Sequence, residues 1–109
     1  MDPDAVAKGI ESGELQVIDV RDDREWEAGR LPGSRHLLLA ELPASAGSID
    51  SETPVVFVCR GGSRSAMAAE AFRQSGYEAY NLSGGLVAWA ESGLPLEPED
   101  GQVVERSLT

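Results

Sequence analysis

Cysteine is almost missing from this chain: one residue, Cys59, stands among 109. One thiol cannot close an internal disulfide. With a single histidine, His36, it cannot assemble a zinc site either. No metal or cofactor is therefore expected, and a fold built without disulfides suits a reducing cytoplasm. Basic residues are scarce, with nine Lys and Arg against nineteen Asp and Glu and a formal net charge of -10. Nucleic acid and anionic membrane surfaces both reward cations, so neither is an expected partner. The acids are scattered along the chain, as on a solvated surface. No apolar run approaches the roughly 20 residues of a membrane-spanning helix. The opening MDPDAVAKGIESGE is acidic and has no apolar core, so it does not read as a secretory signal.

What remains is globular: 41% apolar and 26% charged residues, with no repeat or low-complexity run. The length suits one domain, with a core over about residues 4–96 and an acidic polar tail over 97–109, draped or mobile. Asp2 and Pro3 suit the start of a helix, Ala5, Val6 and Ile10 its apolar face, and Gly13 its end. Leu15 to Val20 is short and β-branched, as in a buried strand. Asp22 to Ala28 reads as a short helix stopped by Gly29. His36 to Leu39 reads as a short extended piece and Ala40 to Ala46 as a weak helix. Val55-Val56-Phe57-Val58 is apolar throughout, as in a parallel strand covered on both faces. Ser63 to Ser75 reads as helix, Glu78 to Leu82 as strand, and Gly84-Gly85 opens a helix ended by Gly93 and Pro95. Strands alternating with short helices predict an α/β domain with a mainly parallel sheet. Ligands of such sheets sit off the carboxyl ends of the strands, which is where Cys59 falls.

The sequence after that strand is Cys59-Arg60-Gly61-Gly62-Ser63-Arg64-Ser65. A strand must turn here into a helix, and Gly61 and Gly62 tolerate the angles of a tight reversal. The first amides of the following helix have no internal partners, and curled around one point they form an anion nest. A sulfur at its centre gains from the amides, the helix dipole, Arg60 and Arg64. Each favours thiolate over thiol, which makes a nucleophile without a separate base. A lone cysteine after an apolar strand is otherwise a small buried hydrophobe. Such a residue needs neither glycines nor arginines beside it. Candidate substrates are anions: phosphate esters, arsenate or sulfur oxyanions. Cysteine-based phosphatases resemble one another in having five residues between cysteine and arginine. Here four separate Cys59 from Arg64. The smaller loop crowds a phosphoryl group but accommodates one added sulfur.

At this point the chain resembles a single-domain rhodanese, a thiosulfate sulfurtransferase-like domain, over Leu15 to Leu96. Four blocks carry the resemblance: Val17-Ile18-Asp19-Val20-Arg21; Glu25-Trp26 through Gly29-Arg30-Leu31-Pro32-Gly33-Ser34; the Cys59 loop; and Leu82-Ser83-Gly84-Gly85-Leu86 with Trp89 and Gly93-Leu94-Pro95. The resemblance implies a central, mostly parallel five-stranded sheet with helices on both faces. It also implies a ping-pong sulfur transfer from an anionic donor such as thiosulfate, through a Cys59 persulfide, to cyanide, a thiol or an acceptor protein. The amides of Gly61 to Ser65 would stabilise the persulfide, and Arg60 and Arg64 would hold or steer the donor. A basic residue directly after the cysteine is similar to the thiosulfate-using kind. One departure is Arg30, where the second block usually has histidine. It either alters a structural hydrogen bond or adds a cation at the pocket rim. His36 matches no catalytic position.

Asp19 and Arg21 have two readings: bracing the cysteine loop from behind, with Asp19 accepting its hydrogen bonds, or an Arg21–Glu25 ion pair at helical spacing. Trp26 and Trp89 read as core or pocket wall. Gly84-Gly85 reads as a close approach to the cysteine loop or an ordinary turn. Ser63 and Ser65 read as pocket hydroxyls, with Ser63 also a helix cap. Against the enzyme stand a sulfur relay with the same residues, loaded by a partner protein; a non-enzymatic interaction domain, against which the intact cysteine and both arginines count; and a phosphatase or arsenate reductase, against which the short loop counts.

Overall fold

A computed structural model describes residues 1–106; Ser107, Leu108 and Thr109 of the expected tail lie outside the described residues. Four strands form one sheet in the order β2-β1-β3-β4: β1 (Gln16–Asp19), β2 (Arg35–His36), β3 (Val55–Val58) and β4 (Ala79–Asn81). Every neighbouring pair is parallel. Five α-helices accompany them: α1 (Pro3–Ser12), α2 (Asp23–Ala28), α3 (Leu42–Ser45), α4 (Ser63–Gln74) and α5 (Gly85–Glu91).

Local chemistry sets these limits. The Asp2 carboxylate accepts from Ala5 N at 2.8 Å, and Gly13, at φ 77°, ends α1 in the left-handed region. Asp22 and Glu25 form a reciprocal capping box at the start of α2. The weak helix expected over Ala40 to Ala46 arrives as α3 flanked by 3-10 turns at Leu39–Glu41 and Ala46–Ser48.

The sheet divides the core in two, as the period-2 alternation of a strand demands. Val55, Phe57 and Cys59 face α3 and α4 and pack with Ile18, Val20, Ala68 and Phe72. Val56 and Val58 face α1 and α5 and pack with Val6, Val17, Leu86 and Trp89. All four β3 side chains are fully buried, each contributing about 1.5–3 kcal/mol by burial.

Among the described residues the sheet has four strands, which corrects the five that the resemblance implied. Beyond α5 the chain runs Leu94-Pro95-Leu96-Glu97-Pro98. Two prolines, which lack an N–H, prevent a ladder here, and the Pro95 carbonyl is taken by Trp89 Nε1 at 2.7 Å. Arg30 and Glu97 form an isolated antiparallel bridge, with N–H to carbonyl distances of 2.9 and 2.8 Å.

From β1 the chain passes to β2 on one side, while β3 and β4 lie on the other. The direction reverses between β1 and β3, and crevices open at such switch points beyond the carboxyl ends. Asp19 ends β1, and Cys59 immediately follows β3.

Candidate active site

Val58 leads directly into Cys59, which is fully buried. Its Sγ accepts from two backbone amides, Gly62 N at 3.1 Å and Ser65 N at 3.4 Å, and the Ser65 hydroxyl oxygen lies 3.3 Å away. Gly62 sits at φ 105° and is the N-cap of α4, so the loop turns where only glycine does so freely. No side chain caps α4, which leaves its first amides available to the sulfur. This corrects the cap expected at Ser63, which is instead the exposed first residue of the helix. Gly61 is exposed, has a φ outside the left-handed region and has open space where a Cβ would stand, so the reversal itself rests on Gly62.

A second element fixes the loop from below. Leu86 N donates to the Cys59 carbonyl at 2.9 Å and Val87 N to the Arg60 carbonyl at 3.0 Å. These first-turn amides of α5 can reach those carbonyls because residue 85 is glycine. A Cβ there would lie 2.6 Å from the Cys59 oxygen and would collide with the Arg60 oxygen. The close approach read from Gly84-Gly85 is therefore present, at Gly85.

The two loop arginines differ in their surroundings. Arg64 is held bidentately by Glu25, with Nη1–Oε1 at 2.7 Å and Nη2–Oε2 at 3.0 Å. The hydrogen bonds that Arg64 donates to Glu25 raise the Arg64 pKa above its usual value, and attraction to Glu25 and Cys59 adds to this. Arg60 is half-buried, and its Nε donates to the Val104 carbonyl at 3.2 Å. That carbonyl belongs to the tail, which crosses the rim of the site. Gln102 N donates to Ala28 O at 2.8 Å, and Arg24 Nη1 donates to Glu105 O at 3.0 Å.

Asp19 and Arg21 do not brace the loop as expected. Asp19 accepts from the Arg21 backbone N and from its Nε, both at 3.0 Å, and from its Nη2 at 2.8 Å. Arg21 Nη2 also donates to Gly29 O at 2.8 Å, and its Nη1 is buried without a hydrogen-bond partner among the described residues. The expected Arg21–Glu25 pair is replaced by two others, Arg21–Asp19 and Arg64–Glu25. Extended chain places residues i and i+2 on one side, so Asp19 meets Arg21 before helical spacing applies. Arg30 lies over the Trp26 ring at 5.1 Å, and His36 stacks on that ring with centroids 4.7 Å apart.

Two residues of the site escaped sequence reasoning. Glu25 is fully buried, and its signal was the capping-box spacing Asp22-x-x-Glu25. Asn81 ends β4, and its Oδ1 lies 2.5 Å from Ser65 Oγ. A lone polar residue at the end of a strand carries no such signal.

The model of the rhodanese-like domain family matches residues 2–92. A protein of Allochromatium vinosum named sulfurtransferase is 34% identical over 89 residues, covering 81% of this chain and 83% of that protein. Among solved structures, a rhodanese-related protein of Thermoplasma volcanium superposes with a TM-score of 0.82 at 26% identity, over 88% of this chain and 94% of that one. A rhodanese-like domain protein of Staphylococcus aureus gives a TM-score of 0.76 at 31% identity, over 82% and 88% of the two chains.

Proposed function

Because this chain belongs to the rhodanese-like domain family, we propose that it is a sulfurtransferase that carries a sulfane sulfur on Cys59. Thiosulfate is the donor, and a thiophile such as cyanide or a small thiol is the acceptor. The observation that carries this reading is the pair of backbone amides aimed at one sulfur, Gly62 N at 3.1 Å and Ser65 N at 3.4 Å from Cys59 Sγ, with the Ser65 hydroxyl 3.3 Å from it.

The Cys59 thiolate attacks the outer sulfur of thiosulfate. A new S–S bond forms, the S–S bond of thiosulfate breaks, and sulfite leaves with the electron pair. The persulfide carries its charge on the terminal sulfur, where preorganised amides and the α4 dipole stabilise it. The acceptor then bonds to that sulfur, and the Cys59 thiolate is released. No proton need move in the transfer to cyanide. Arg60 is the loop cation suited to the sulfonate end, since Arg64 is already engaged by Glu25. The four residues between Cys59 and Arg64 favour this chemistry over phosphoryl transfer, which uses a wider loop.

Incubation with thiosulfate, free of reducing agent, is expected to add one sulfur to the intact protein mass. Cys59→Ser is expected to abolish the adduct. An unmodified wild-type mass would overturn the enzyme reading and favour an interaction domain. An adduct formed only from a protein persulfide donor would favour the relay.

A further inference from the structure

The Ser65 hydroxyl faces two acceptors and has one hydrogen to give. Cys59 Sγ lies 3.3 Å from Ser65 Oγ on one side, and Asn81 Oδ1 lies 2.5 Å away on the other. At that separation the hydrogen belongs to Asn81. Ser65 Oγ then offers the sulfur a lone pair, which fits a thiol that donates its own hydrogen and opposes an anion. Once the sulfur is charged, Ser65 must reverse and donate to it. Its oxygen then needs a donor in place of Asn81 Oδ1. A half-turn of the Asn81 amide supplies one, Nδ2, at the same position.

We propose that Asn81 is a positioning residue for Cys59: through the Ser65 hydroxyl, its amide matches the direction of the hydrogen-bond chain to the charge on the sulfur. On ionisation the thiol proton passes to solvent, while the Ser65 hydroxyl and the Asn81 amide only rotate. An amide is the side chain suited to both states, because it presents an acceptor and a donor on one planar group. A carboxylate at position 81 would accept in both states and hold the Ser65 hydrogen away from the sulfur. An isosteric leucine would compete for nothing and leave Ser65 free to donate to the sulfur throughout.

The charged groups on the packed elements are Arg60 and Arg64 of the loop and α4, Glu25 of α2, Asp19 and Arg21 at the end of β1, and the amino terminus, which donates to the Asn81 carbonyl at 2.9 Å. Glu25 pairs with Arg64, and Asp19 with Arg21. The tests below leave all six in place. Leu86 and Val87 of α5 contribute only backbone amides to the Cys59 and Arg60 carbonyls.

The inference rests on Cys59 being the reacting sulfur, but its test reads ionisation without sulfur transfer. Thiolate absorbance in the ultraviolet is followed against pH in the full chain, with Cys59→Ser as the blank. Asn81→Asp is expected to move the midpoint upward, reducing the thiolate-to-thiol ratio on the rising limb about tenfold, the worth of one hydrogen bond to a charged group. Asn81→Leu is expected to leave the midpoint in place or lower it. In a Ser65→Ala background most of the Asn81→Asp shift should vanish, because the path through the hydroxyl is gone. Equal shifts for Asn81→Asp and Asn81→Leu, or a full shift for Asn81→Asp without the Ser65 hydroxyl, would overturn the proposal. Circular dichroism confirms that each variant is folded. Should either Asn81 variant fail to fold, Ser65→Ala alone decides: an unmoved midpoint removes the hydroxyl from the ionisation, and Asn81 with it. Failure of thiosulfate to load Cys59 would overturn the proposed function and leave this titration intact.

Discussion

The Glu25 carboxylate grips both terminal nitrogens of Arg64, 39 residues further along the chain, at 2.7 and 3.0 Å. It also accepts from Asp22 N at 3.3 Å, within the capping box of α2. One buried acid therefore ties the start of α2 to the start of α4. Removing the arginine strands that acid in the interior, whereas Arg64 keeps 13% of its side chain exposed and can turn toward water. Arg64→Ala should cost about 3–5 kcal/mol of stability, as expected when one partner of a buried pair is lost. Glu25→Gln should cost less, about 1–3 kcal/mol, since the amide still caps α2. The double variant should be more stable than Arg64→Ala alone. Urea unfolding of the three variants checks the order, and an unmoved midpoint for Arg64→Ala would show that the pair does not hold the loop.

Arg60 should behave in the opposite way. Among the described residues its one side-chain bond reaches the Val104 carbonyl, so Arg60→Ala is expected to change urea stability by no more than about 1 kcal/mol. If it binds the donor anion, the thiosulfate KM should rise more than kcat falls. Steady-state kinetics separate the two, and unchanged constants would take Arg60 out of the site.

Gly85→Ala tests the support beneath the loop. The new methyl would strike the Cys59 and Arg60 carbonyls, and the backbone at φ 63° disfavours any side chain. A loss of about 2–4 kcal/mol is expected from strain and displaced hydrogen bonds, together with slower loading of Cys59. Thermal unfolding and the rate of thiosulfate adduct formation measure both. A folded, fully active Gly85→Ala would mean that the loop does not depend on α5.

Gly29 has an extended φ of 170°, which any residue can adopt, so its reason lies outside its own backbone. A Cβ there would stand 2.6 Å from both Gln102 N and Gln102 O. Gly29→Ala should therefore lift the tail off α2 and deprive Arg60 of Val104. The expected result is a severalfold higher thiosulfate KM, faster proteolysis between 99 and 106, and an unchanged titration of Cys59. A raised cleavage rate with unaltered KM would show that the tail does not orient Arg60.

Much of this architecture was written in short-range chemistry. Asp2 with Pro3 and Gly13 marked the ends of α1, the apolar run at Val55 marked β3, and the turn at Gly62 marked the anion nest. All of these signals lie within a few residues of the feature they specify. The pairings were less legible. Helical spacing drew Arg21 toward Glu25, but the chain is still extended at Asp19, and the period-2 partner prevailed. Arg64 reached Glu25 only because β1 and β3 lie side by side, and Asn81 reached Ser65 only because β3 and β4 do. The missing fifth strand came from resemblance alone; the residues themselves supplied four strand segments and then prolines at 95 and 98.

The tail has a consequence for how this domain is bounded. The family match ends at residue 92, yet the carbonyl that fixes Arg60 belongs to residue 104. A version trimmed to the matched region would keep the sheet and the cysteine loop but would present a rim with Arg24 and Arg60 unanchored. Kinetic constants measured on it would describe a different entrance. The same holds when the domain is fused to a partner immediately after α5. Modularity, for this fold, is a property of the core and not of the doorway.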